Sequence, residues 1–159
     1  MSITLTYSGD PKYTEIRNAT SLAQSYLQGS EIVRVVQERT RPFDDSNPSN
    51  LNPDEVATYI NEENFTLLVM DYSDREGRTT VGGMFDPSKP NQININVLAL
   101  PHRETCEFVG VIVHEAIHAL SRRIERKTNG RVSFYARSRK SEKWERRYST
   151  LLDTNTGRK

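Results

Sequence analysis

A single cysteine, Cys106, rules out an internal disulfide, and nothing in the composition calls for an oxidising compartment. No apolar run approaches the roughly 20 residues needed to span a bilayer, so no membrane span is expected. The opening Met1-Ser-Ile-Thr-Leu-Thr-Tyr7 has neither a basic n-region nor an apolar h-region. Without a visible signal peptide, the chain reads as cytoplasmic, or exported without a cleavable signal. It contains no internal repeat and no low-complexity tract. Only three histidines occur, His102, His114 and His118. With 159 residues, 35% hydrophobic and 27% charged, the chain fits one globular domain, expected over 1–152, with a disordered tail at 153–159.

The net charge of +1 conceals an asymmetry: residues 1–118 carry 9 Lys/Arg against 17 Asp/Glu, and residues 119–159 carry 13 against 4. A solvated basic face, or pairing with the acidic first part, explains this stretch without a partner. Steering toward an acidic partner is the sharper reading. No nucleic-acid-binding motif accompanies the charge, so no nucleic-acid partner is expected.

Helical spacing of Ile16, Ala19, Leu22, Ala23, Tyr26 and Leu27 predicts a helix over 11–28, stopped at Gly29. Ser30 reads as a cap before 31–38, whose apolar spacing fits a short helix, the preferred reading, while its β-branched content fits a strand; 41–53 is loop. Pro53 to Glu63 predicts another helix, with Asn52 as cap and Val56, Tyr59 and Ile60 inward. Phe65 to Tyr72 has the density and length of a strand, 73–78 is a turn, 79–84 resumes extended structure, and 87–91 turns again. In Gln92-Ile-Asn-Ile-Asn-Val97, Ile93, Ile95 and Val97 alternate with Asn94 and Asn96, the pattern of a strand with one buried face.

The chemistry lies in the next helix, expected from near Glu104 to a C-cap at Asn129-Gly130. Within Phe108-Val-Gly-Val-Ile-Val-His-Glu-Ala-Ile-His-Ala-Leu120, an apolar stripe of Val109, Ile112, Val113, Ala116, Ile117, Leu120 and Ile124 has helical spacing. His114 and His118 stand one turn apart on one face, about 6 Å along the axis. Two imidazoles so placed can share a tetrahedral metal, with zinc the best match to the donor set. Glu115 then lies beside the metal without binding it, placed to take a proton from water and hand it to a leaving amine. That division of labour is the reason for the HExxH spacing. The plain alternative is a buried helix whose histidines hydrogen-bond locally.

Gly82-Gly-Met-Phe-Asp-Pro87, Asn91-Gln-Ile-Asn-Ile-Asn96 and Val113-His-Glu-Ala-Ile-His-Ala119 occur in the order of the hairpin-then-helix core of gluzincin metallopeptidases. Over about residues 80–150 the chain resembles the mitochondrial inner-membrane processing peptidases that assist ATP synthase assembly. Small secreted bacterial effector metalloproteases share the layout. It lacks the cysteine-rich character of the mitochondrial family, so that family's substrate and location do not transfer. The resemblance implies an α+β, minimal zincin-like fold: a small, mainly antiparallel sheet on the HExxH helix, and a C-terminal helix supplying a third ligand. It also implies a substrate added as an extended strand, here expected along residues 92–97.

His102 lies twelve residues before His114, too far along a continuous helix to join the pair. A carboxylate from the helix expected at Ser141 to Leu152 is the natural third ligand, as in His2Glu sites. Matching Ser141-Glu142 to the family's Ser-Glu favours Glu142, whereas the helical wheel, with Trp144, Tyr148, Leu151 and Leu152 inward, favours Glu145. Tyr148, Tyr135 or Arg137 could donate to an oxyanion. Glu125 reads as a surface partner of Arg122, and Cys106 as a small core residue. These residues predict a Zn2+-dependent endopeptidase. The alternatives are a non-catalytic binding module stabilised by metal, or a toxin or effector protease with one protein target.

Overall fold

The computed structural model describes residues 2–28, 53–62 and 64–129. The expected helix at 31–38, the Asn52 cap, the helix at Ser141 to Leu152 and the tail at 153–159 lie outside them. So do Glu142, Glu145, Tyr135, Tyr148 and Arg137.

The first strand, β1 (Ser2–Tyr7), has no counterpart among the expected elements. Its Ile3 and Leu5 are buried while Thr4 and Thr6 are exposed, the period-2 pattern of a strand with one face on a core. Helix α1 (Thr14–Gln28) buries Ile16, Ala19, Ala23 and Leu27, one stripe at helical spacing. Helix α2 (Pro53–Glu62) has proline at its first position, where no N–H is needed, and Asp54 and Glu55 at the positive end of its dipole. Val56, Ala57 and Ile60 face inward.

Strand β2 (Asn64–Tyr72) alternates buried Phe65, Leu67 and Val69 with exposed neighbours. After a turn come β3 (Gly83–Phe85) and β4 (Gln92–Asn96). A 3-10 turn, Val97–His102, leads into α3 (Thr105–Thr128). Glu104 and Glu107 form a capping box at the start of α3, the Glu104 N–H donating to Glu107 Oε2 at 2.8 Å. Asn129, at φ 53°, ends α3 in the left-handed conformation, as its expected C-cap role requires.

The strands form one sheet in the order β1-β2-β4-β3. Two of its three pairings, β1 with β2 and β2 with β4, are parallel, and only β3 with β4 is antiparallel. The fold is therefore mixed α and β, but the expected mainly antiparallel sheet is corrected. Chain passing through α1 and α2 separates β1 from β2, which allows a parallel crossover. The β3 hairpin goes to the outside, leaving β4 to lie parallel beside β2.

Register aligns Ile3 with Phe65, Leu5 with Leu67, and Val69 with Ile93. These side chains form one apolar face, and α1 and α3 pack together over it. Arg123, late in α3, lays its guanidinium 4.7 Å from the Phe65 ring centroid, so part of the basic stretch serves packing.

Two further expectations change. Strand β4 is covered on both faces: Asn94 is 7% exposed and Asn96 0%, and Val97 has already left the strand. Cys106 is half-buried in the first turn of α3 rather than in the core, its thiol 3.8 Å from Glu104 Oε2. Among the described residues, no helix is long and apolar enough to cross a membrane.

Candidate metal centre

Burial of Phe108, Ile112, Val113, Ala116, Ile117, Leu120 and Ile124 fixes which way α3 faces. Val111, His114, Glu115 and His118 are left together along its border, because residues three and four apart share a face. Val111 shows where that face points. A Cβ on Gly82 would stand 2.7 Å from Val111 Cγ2, and one on Gly83 would stand 2.8 Å from both Val111 Cγ1 and Asn94 O. Only glycines let the chain entering β3 lie this close to α3, one turn before Glu115.

The two imidazoles converge. Their Nε2 atoms are 3.1 Å apart, with ring centroids 4.8 Å apart and planes at 74°. Zn–N bonds of about 2.0–2.1 Å in a tetrahedron would place two nitrogens about 3.3–3.4 Å apart, close to this separation, which is also that of a hydrogen bond between the two rings. Burial lowers the pKa of His114. Burial, with a smaller contribution from His114, holds His118 down at about 4. Both rings are then neutral near pH 7, the state in which an imidazole nitrogen can donate to a metal. Glu115 is buried, at 8% exposure, on the same helix face.

Among the described residues, no group of three or more His, Cys, Asp or Glu side chains is arranged to hold a metal. Both candidate third ligands, Glu142 and Glu145, lie outside those residues, as do Tyr148 and Tyr135. His102 is exposed in the 3-10 turn. Glu125 makes the expected surface pair with Arg122, at 3.4 Å.

The substrate strand expected along residues 92–97 does not fit this sheet. Strand β4 is hydrogen-bonded to β2 on one side and β3 on the other, so neither edge can accept another strand. The terminal strand next to α3 is β3.

Sequence reasoning also misses the network that seats β3. Asn96 Nδ2 donates to the carbonyls of Arg78 and Val81, at 2.7 and 2.8 Å. Its Oδ1 accepts from the N–H groups of Asp74 and Leu98, both at 3.2 Å. This buried amide therefore uses its full hydrogen-bonding capacity. Asp74 accepts from Arg78 Nε and a terminal guanidinium nitrogen, at 3.1 and 3.0 Å, and from two backbone N–H groups. The Arg78 guanidinium beside it holds the Asp74 carboxyl down at about 2. Among the described residues the buried Tyr72 hydroxyl has no hydrogen-bond partner, and its pKa is raised first by burial, then by Asp74, with Glu115 adding a smaller push.

Comparison with family models, curated proteins and solved structures finds no match to this chain.

Proposed function

We propose that this chain is a zinc-dependent endopeptidase, and the observation carrying that reading is the 3.1 Å approach of His114 and His118 Nε2 beside buried Glu115. His114 and His118 would hold the ion, with Glu142 or Glu145 as third protein ligand. When bound, the ion would polarise the scissile carbonyl and acidify a water. Glu115 takes the proton from the attacking water and delivers it to the departing amine, so its low exposure serves proton transfer rather than charge display. With both Nε2 atoms on the ion, neither imidazole would be free to carry a proton, which leaves Glu115 for that role on this face. Strand β3, seated on α3 through Gly82 and Gly83, replaces 92–97 as the edge along which an extended peptide would add, its backbone hydrogen bonds giving affinity without sequence demand.

Zinc content and cleavage of an unstructured peptide library, read by mass spectrometry, test this together. Wild type purified with zinc should carry about one ion per chain, and His118→Ala should lose it. Glu115→Gln should keep the ion and lose turnover by about 10³-fold. Near-wild-type turnover in Glu115→Gln, or a folded wild type without zinc, would sink the reading.

A further inference from the structure

Among the described residues, strand β1 ends the sheet opposite β3. The Ser8 N–H donates to Val69 O, so the even-numbered residues of this end of the chain turn their backbone groups toward β2. Alternation then sends those of Ile3 and Leu5 outward. An outward row of N–H and C=O groups is a template for another strand. Gln24, from α1, occupies it. Its Nε2 donates to Ile3 O at 2.6 Å, and its Oε1 accepts from the Leu5 N–H. Accepting from the residue after Thr4 and donating to the residue before it is what one residue of a parallel neighbour would do with its own C=O and N–H. Burial of Ala23 and Leu27, its neighbours on α1, holds Gln24 over the strand.

We propose that Gln24 is a plug that closes the β1 edge against strand addition by a second copy of this chain. The strand Ser-Ile-Thr-Leu-Thr-Tyr has no charge and no proline, the usual devices that blunt an edge. Two copies of β1 meet without repulsion, and their β-branched and aromatic content favours extended pairing. Among the described residues, protection therefore comes from outside the strand, through one side-chain amide. This inference is independent of the metal site.

Amide hydrogen exchange and sedimentation velocity test it on the full chain. In wild type, the Leu5 amide should be protected like those inside the sheet, although β1 is a terminal strand; a freely exchanging Leu5 would overturn the plug without recourse to a variant. Gln24→Ala keeps helix propensity and removes the amide. In dilute solution its Leu5 exchange should quicken by at least tenfold, and its average mass should rise with concentration across a range where wild type stays constant. Adding Thr4→Lys, a charge on the exposed side of the strand, should reverse that rise. Unchanged Leu5 exchange, no added association, or association that persists with Thr4→Lys would each overturn the proposal.

Discussion

Strands β1 and β3 both end the sheet, but the chain treats them differently. Helix α1 reaches over β1 and fills two of its outer hydrogen-bonding positions, Ile3 O and the Leu5 N–H, with Gln24. Helix α3 instead supports β3 from beneath, through Val111 against Gly82 and Gly83, and among the described residues no strand lies beyond it. Closing an edge takes one side chain of the right length. Leaving an edge accessible takes more, because a three-residue strand has little pairing to hold it. Strand β3 is steadied by glycine contacts below and by the Asn96 and Asp74 network beside it.

The largest effect on this contrast should come from Asn96→Ala. It removes a fully buried side chain and leaves two carbonyls and two N–H groups without their partner, and should cost about 3 kcal/mol in denaturant unfolding. Exchange should quicken over residues 78–85 and stay unchanged over 3–7; equal loosening at both edges would break the comparison. Gly82→Ala should cost about 1–2 kcal/mol by overpacking, and Val111→Ala in the same chain should recover part of it, since Val111 is the nearest obstacle and the Arg103 side chain can give way. Strictly additive losses would show that the glycine is not there for Val111.

The smallest effect varies only in acid. Folding lowers the Asp74 pKa from an unfolded value of about 3.9 to about 2. Its stabilisation is therefore complete above about pH 4 and fades as pH falls toward 2. Asp74→Asn should be less stable than wild type at pH 7, and the gap should close across that window. A gap that persists at pH 2 would remove the charge from the account.

Helix α3 is legible in the sequence because one stripe, Ile112 to Ile124, and both ends, Glu104 and Asn129, agree on the same element. The histidine pair follows from its four-residue spacing alone. Strand β1 carries a signal in Ile3, Leu5 and Tyr7, but the intervening Ser2, Thr4 and Thr6 suit a loop as well as a strand. The parallel pairings are beyond local pattern, since alternation gives a strand its faces and not its neighbours. Asn94 and Asn96 mislead for a physical reason: polarity suggests exposure, whereas Asn96 is buried because its hydrogen bonds are met inside. Gln24 leaves no trace in the sequence, because a glutamine on a helix surface is unremarkable until the strand it meets is known.

The Glu104–Glu107 capping box begins α3 ten residues before His114. Each helical residue is rotated about 100° from the one before it. Inserting or deleting one residue between the box and the motif would swing both imidazoles more than a quarter turn away from β3. Inserting seven would return the bearing to within about 20° but carry the pair about 10 Å along the axis. The box thus acts as an index mark for the angular phase of α3, tying the compass heading of His114 and His118 to the end of the 3-10 turn.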